Sequence, residues 1–294
     1  MAAKNTLSSF HHSMPAKNIS SLYETRLGVL YDSGEAASIR DLVFCKVFNC
    51  ERPSLKRVMN EVISPEKESE LEQVLERLVT GEPVQYVLGE TSFYGLTIKV
   101  NPAVLIPRPE TEFLAGMIIK ENKLPGLHVL DICTGSGCLA IALEKNLLKP
   151  VVSALDISAA ALETARSNTS LNESHITFYQ YDMLGKEPFP GKEKYDVIVS
   201  NPPYVTESEK RSMHINVLNF EPHLALFVPE NDPLVFYDSI CTFSLQHLKK
   251  DGRIYLEINE AHAGRLESLY SRHFAAAEVK NDLFGRKRFL RISQ

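Results

Sequence analysis

Asn201-Pro202-Pro203-Tyr204 is the stretch of this 294-residue chain best equipped to do chemistry. An amide or ring-amine nitrogen is a poor nucleophile, because its lone pair is shared with a neighbouring π system, yet it carries two N–H donors. Two acceptors aimed at those hydrogens would orient it: the side-chain carbonyl of Asn201 and the backbone carbonyl of Pro202, with Tyr204 offering an aromatic face to the flat group. Pro202 and Pro203 fix φ and donate nothing, so the corner is stiff. Orientation alone is worth about 7 to 11 kcal/mol when reacting atoms are held near contact distance, and the first step needs no general base. Asn201, Pro202 and Tyr204 are therefore candidate catalytic residues, and the same three with Pro203 are candidate substrate ligands. Taken alone, the tetrapeptide also reads as a plain proline-stiffened turn after a strand.

A second constellation lies upstream. Asp131-Ile132-Cys133-Thr134-Gly135-Ser136-Gly137-Cys138 follows an apolar run and opens a helical pattern, an arrangement in which glycines let a ligand approach the backbone and helix N–H groups stay free. The dinucleotide spacing G-x-G-x-x-G is missing, since Gly137 is followed by Cys138-Leu139-Ala140, and this disfavours a dehydrogenase. Asp156, nineteen positions after Gly137, stands where a carboxylate accepts both hydroxyls of a ribose. Tyr181-Asp182-Met183 puts another carboxylate at the next strand end, where an adenine amino group would be read. Acidic residues at successive strand ends, with Asn201 after the fourth strand, line one edge of a sheet, the usual ligand crevice of an open α/β fold.

The elements that must position these residues are short apolar runs alternating with helical patterns. Strands are expected at 127–132, 151–155, 175–179, 195–200 and 253–258, in a mostly parallel sheet with helices on both faces. Runs at 274–279 and 287–292, separated by Asn281-Asp282-Leu283-Phe284-Gly285, read as a terminal antiparallel pair. Before the sheet, Val104-Leu105-Ile106-Pro107-Arg108-Pro109-Glu110-Thr111-Glu112 brackets an arginine with prolines just ahead of a helix from Glu110 or Thr111 to about Lys120, and Arg108 is expected to pair with a carboxylate. Residues 83–109 contain a hairpin with Gly95 in its turn. Residues 1–82 read as a helical bundle. Ile19, Leu22, Tyr23, Leu27 and Leu30 form one stripe, stopped by Gly34. Residues 38–50 and 54–63 follow, and a fourth helix is capped by Ser64-Pro65 and ended by Gly81. The sheet domain proper is assigned to 110–294, and the first 18 residues or so to a disordered lead-in.

Lys and Arg number 32 against 37 Asp and Glu, a net charge of −5, which argues against a protein whose affinity rests on neutralising many phosphates. Five cysteines at spacings that match no zinc pattern read as reduced, packed thiols of an intracellular, cytoplasmic protein. His11-His12 is not read as a metal site, and no run reaches transmembrane length.

These residues resemble the S-adenosylmethionine-dependent methyltransferases of the Rossmann-like class, and within it the PrmC/HemK glutamine methyltransferases that modify peptide chain release factors. The likeness rests on GEPVQYVLGETSFYG, VLIPRPETE, LDICTGSGCLAIAL, the DIS at Asp156, SNPPYV, EPHLAL and DLFGRKRF, in that order. It implies a Rossmann-like α/β fold with a seven-stranded sheet ending in an antiparallel hairpin, preceded by a small helical bundle that helps dock the partner. It further implies that Cys133, Thr134, Gly135, Ser136 and Gly137 lie against the methionine part of S-adenosylmethionine, that Asp156 holds its ribose, and that Asp182 and Met183 border its adenine. The implied substrate is the glutamine of the GGQ tripeptide in class I release factors, with no metal, no membrane and no stable nucleic-acid partner. Cys133 stands where the family commonly has glycine, Glu230-Asn231-Asp232-Pro233 is less glycine-rich than usual, and Glu257-Ile258-Asn259-Glu260 is followed by Ala261-His262; these departures are expected to leave the chemistry untouched. Competing readings are a nucleic-acid amino methyltransferase acting on DNA or ribosomal RNA, and a cofactor-binding adaptor without turnover.

Overall fold

The computed structural model describes residues 15–294, and the chain divides into two units between Leu88 and Gly89. His11-His12 and most of the expected lead-in lie outside the described residues. The first unit carries α1 (Ala16–Leu27), α2 (Ser33–Val47), α3 (Leu55–Val58), α4 (Pro65–Leu78) and α5 (Val84–Leu88). α1 starts earlier than expected because Pro15 holds an extended N-cap and Ala16 is buried. Its buried stripe is Ile19, Tyr23 and Leu27, while Leu22 and Leu30 face outward. Gly34 does not stop this helix: Asp32 caps α2 by accepting the Gly34 and Glu35 N–H groups at 2.8 and 2.9 Å, so Gly34 lies in the first turn of α2. The third helix is cut short at Val58. There the Met59 and Glu61 carbonyls turn back to accept from Lys17 and Ala16, the unpaired N–H groups that open α1. Ser64 accepts from Lys67 to cap α4 behind Pro65.

The second unit begins with the hairpin β1 (Glu90–Phe93) and β2 (Leu96–Lys99). Its two-residue turn, Tyr94-Gly95, has φ of 50° and 76°, the mirror-image turn whose twist matches the strands. Then come α6 (Pro109–Glu121), β3 (His128–Ile132), α7 (Cys138–Asn146), β4 (Val151–Asp156), α8 (Ala159–Leu171), β5 (Ile176–Gln180) and β6 (Tyr195–Ser200). α9 (Ile215–Phe220), α10 (Val235–His247), β7 (Leu248–Glu257), α11 (Ala263–Ser271), β8 (Ala276–Asn281) and β9 (Lys287–Ser293) complete it.

Seven strands form one sheet in the order β5-β4-β3-β6-β7-β9-β8. β3 to β7 run parallel, and β9 lies antiparallel between β7 and β8. The central strands are buried on both faces, which is why β3, β4 and β6 read as continuous apolar runs. The chain winds outward from β3 through β4 to β5, then crosses back to place β6 on the other side of β3. That reversal opens a crevice at the carboxyl ends of the strands, where Asp156 and Asn201 stand.

One buried asparagine ties three pieces of this unit together. Asn168 of α8 is fully buried. Its Oδ1 accepts the Lys99 N–H at 2.7 Å, and its Nδ2 donates to the carbonyls of Lys99 and Ser136, each at 2.9 Å. The hairpin, α8 and the glycine loop are thus set by one amide, and both its ends are needed. Asn168→Ala strands a donor and two acceptors, so urea unfolding is expected to show a loss of about 2 to 4 kcal/mol. A loss within experimental error of zero would mean that water replaces all three bonds.

Candidate active site

The glycine loop leaves β3 through three left-handed residues, Cys133, Gly135 and Gly137, with φ of 59°, 53° and 78°. Cys133 therefore occupies a backbone region that suits glycine, at a cost of roughly 1–2 kcal/mol for an ordinary side chain. The two glycines serve different ends. A Cβ added at Gly137 would lie 3.1 Å from that of Ala165 on α8, so this residue permits α7 and α8 to pack closely. A Cβ added at Gly135 would meet no atom within 4 Å, because it would project into open space along the wall of a cleft.

That cleft is a cavity of about 460 Å³. Cys133, Thr134, Gly135, Ser136, Asp156, Asp182 and Met183 all line it, as do Asn201 and Pro203. Gly137 is not on its wall, and Cys138 is. Asp156, at the end of β4, accepts the N–H of Gly135 on one oxygen and that of Ser158 on the other, each at 2.9 Å, which fixes its carboxylate while leaving lone pairs for a ligand. Burial raises its pKa. Asp131, which was not expected in the site, also lines the cavity; it is 1% exposed, accepts from the Thr134 hydroxyl at 2.6 Å, and is pushed up to about 7, mainly by burial. Asp182 turns its own loop by accepting the Leu184 N–H at 2.9 Å. Three carboxyl groups thus face one mostly apolar cavity.

A second cavity of about 340 Å³ adjoins the first at the Asn201 corner, lined by Pro202, Tyr204, Met213 and His214 among others. Leu105, Arg108, Asn201 and Ala225 line both. Asn201 therefore borders both cavities.

The orientation of Asn201 follows from its neighbours. Its Nδ2 donates to the Thr111 hydroxyl at 3.0 Å, and Thr111 donates in turn to Glu257 Oε2 at 2.7 Å. With the single hydroxyl proton spent on Glu257, Thr111 can only accept from Asn201, so the amide turns its N–H toward Thr111 and leaves its carbonyl for another donor. Tyr204 donates its hydroxyl to Glu257 Oε1 at 3.0 Å. One buried carboxylate, 1% exposed, thus holds both ends of the tetrapeptide. It stands at the end of β7 beside β6, and its backbone carbonyl accepts the Tyr237 hydroxyl at 3.0 Å. Burial pushes Glu257 up to about 6, with Glu110 adding to the rise and Thr111, Tyr204 and Arg288 opposing it. Tyr204 is raised as well, by burial and by the Glu257 charge. The sequence marks Glu257 only as the start of a departing loop; the structure places it at the centre of the network.

Arg108 pairs with a carboxylate as expected, and the partner is Glu221, at 2.6 Å with a side chain 1% exposed. Glu221 also accepts the Ile106 N–H at 3.2 Å. The proline-bracketed loop is thereby fastened to the segment after α9. That segment pairs with the exit of the corner through Val205 and Leu226.

A family model described as the methyltransferase small domain matches residues 109–219, and one described as the PrmC N-terminal domain matches residues 25–89. A release factor glutamine methyltransferase of Flavobacterium psychrophilum is 41% identical over 292 residues, covering 95% of this chain and 99% of that protein. This chain belongs to the release factor glutamine methyltransferase family. A second member, from Bacteroides thetaiotaomicron, is 40% identical over 89% of this chain and 94% of its own length. Among solved structures, a Thermus thermophilus 16S rRNA N2 G1207 methyltransferase in complex with AdoMet and guanosine aligns with a TM-score of 0.50 at 17% identity. It covers 70% of this chain and 49% of that one, and shares the Rossmann-like fold. No helix among the described residues is long and apolar enough to cross a membrane, and no three His, Cys, Asp or Glu side chains among them gather as a metal site.

The Glu257 network makes activity and stability respond oppositely to acid. The folded pKa of Glu257, about 6, lies above its ordinary 4.5. This group therefore contributes stability below the ordinary value and loses it as pH rises through about 6. Asp131, raised to about 7, acts in the same direction. Activity needs Glu257 ionised to accept from both hydroxyls, so kcat at saturating methyl donor is expected to fall with a midpoint near 6 while these two groups stabilise the fold. Glu257→Gln should lack that acid limb, with a plateau roughly ten- to a hundredfold lower. A variant that keeps the wild-type acid limb would assign it to another group.

Proposed function

We propose that this chain transfers the methyl group of S-adenosylmethionine to the side-chain amide nitrogen of the glutamine in the GGQ motif of class I peptide chain release factors. The observation that carries the reading is the fixed amide of Asn201, whose N–H is committed to Thr111 and whose carbonyl remains free for a planar N–H donor where two cavities adjoin.

The first cavity suits the methyl donor. Its volume lies within the range of small-ligand sites, about 300 to 1,000 Å³, and its three carboxyl groups complement a cation that carries a ribose and an adenine. Asp156 would hold the ribose hydroxyls on the lone pairs left by Gly135 and Ser158. Asp182 and Met183 would border the adenine, and Cys133 to Ser136, with Asp131, would face the methionine portion. When bound there, S-adenosylmethionine supplies an electrophilic methyl group on a positively charged sulfur. The chain's own part is orientation. The Asn201 side-chain carbonyl and the Pro202 backbone carbonyl accept the two hydrogens of the acceptor amide and fix its plane, so that the nitrogen's out-of-plane lone pair faces the first cavity. Tyr204, anchored through its hydroxyl, flanks that plane. The stiff corner and the Glu257 network set the geometry before substrate arrives, and this is where the gain in rate arises.

The N-terminal unit, whose residues 25–89 match the PrmC N-terminal domain, is proposed to dock the release factor, and the cytoplasm is the proposed place of action. Base methylation on DNA or ribosomal RNA is not favoured: the relatives at 41% and 40% identity are release factor glutamine methyltransferases, and the net charge of −5 offers phosphates little.

With labelled S-adenosylmethionine and an unmodified class I release factor, peptide mass is expected to place the methyl group on the GGQ glutamine. Asn201→Ala should slow transfer about a hundredfold or more, and replacing that glutamine by alanine in the substrate should abolish it. Label on another residue, or transfer to nucleic acid under the same conditions, would overturn the reading.

A further inference from the structure

Cys45 and Cys50 take no part in the cleft, and α2 ends in a way that brings their side chains together. The Asn49 N–H donates to the Lys46 carbonyl at 3.2 Å, the Cys50 N–H donates to the Cys45 carbonyl at 2.9 Å, and Asn49 is left-handed with φ of 47°. These are the two bonds and the one left-handed residue of a Schellman motif. The motif sets the side chain three positions before the cap against the one two positions after it, a contact usually made by two apolar groups. Here both are cysteines. Both thiols are free, and both side chains are half-buried rather than sealed in the core. Spacing alone does not produce such a pair. Cys133 and Cys138 are also five positions apart, but the chain between them passes from the end of β3 into α7 instead of closing around a helix end.

We propose that Cys45 and Cys50 form a hydroperoxide-sensitive dithiol that closes to a disulfide across the C-terminal end of α2. Burial is the largest cause raising the pKa of the Cys45 thiol, with Arg52 opposing, which disfavours its thiolate, and in the proposed step Cys50 is the attacking thiol. Its sulfur takes the distal oxygen of the hydroperoxide. The S–O bond forms as the O–O bond breaks, and the remaining oxygen leaves as water or an alcohol with the thiol's proton. The Cys45 sulfur then attacks the sulfenic sulfur of Cys50. The S–S bond forms, the S–O bond breaks, and the hydroxyl leaves as water with the proton of Cys45. The two thiols lose two electrons and the hydroperoxide gains them, and a dithiol reductant reverses the change.

The full-length chain would be treated with hydrogen peroxide at low excess, its remaining thiols alkylated, and the protein digested with trypsin. Lys46 separates the two cysteines, so the disulfide appears as two tryptic peptides joined, lighter by two hydrogens than their sum. The joined peptide is expected to become the main form of both before Cys133, Cys138 or Cys241 gains oxygen, and to vanish with dithiothreitol. Cys45→Ser and Cys50→Ser should each abolish it, the remaining thiol adding oxygen instead. Independent oxidation of Cys45 and Cys50 in the wild-type chain, with no joined peptide, or linkage of either to another cysteine, would overturn the proposal.

Discussion

A carboxylate buried at the end of β7 governs the geometry of this site. Glu257 is shielded from water and accepts hydrogen bonds on both oxygens, from Thr111 and from Tyr204. Burying an ionised carboxylate is unfavourable unless its lone pairs are met, and the rise of its pKa to about 6 records that cost. In return the two hydroxyls are fixed in direction, and through Thr111 so is the amide of Asn201. The polarity of that amide is set by a proton count along the chain of donors, which no amount of apolar packing could set. Placing Glu257 on a central strand next to β6 gives the network a rigid base, and the two prolines keep the corner from adjusting around it.

The second determinant is the distribution of charge at the strand ends. Asp131, Asp156 and Asp182 face a cavity whose other walls are largely apolar, and Asp131 is held at about 7 by burial. Such a cavity favours a cationic ligand, because an approaching positive charge relieves the cost of keeping the carboxylates ionised. In the proposed reaction a methyl donor bearing a positive sulfur would be drawn to the cavity where the acids lie, and the neutral acceptor amide would be held beside Asn201 and Tyr204.

Much of this architecture was legible because it depends on local chemistry. Ser64-Pro65 announced a helix start, the apolar runs of β3, β4 and β6 announced buried parallel strands, and the glycine loop and the Asn201 corner announced their own positions. Ambiguity arose where one local signal had two uses. Gly34 looked like a helix stop and lies in the first turn of the next helix, because Asp32 caps there. Gly137, read as a cofactor glycine, also lets α7 pack closely on α8. What stayed hidden were polar contacts between residues far apart in the chain. Thr111 reaches Glu257 across 146 positions, Arg108 reaches Glu221 across 113, and Asn168 reaches Lys99 across 69. No periodicity marks such residues, since a buried threonine or asparagine on a helix looks like a solvated one until the sheet is assembled.

In this geometry Thr111 acts on the reaction through Asn201 alone, and a double-mutant cycle on methyl transfer separates that route from any other. Thr111→Val keeps the side-chain shape and removes the hydroxyl. Alone it is predicted to slow transfer about tenfold, whereas in an Asn201→Ala background it should have almost no further effect, a strongly non-additive result. Equal losses in both backgrounds would contradict the account, because they would mean that Thr111 influences the reaction by a route that does not pass through Asn201.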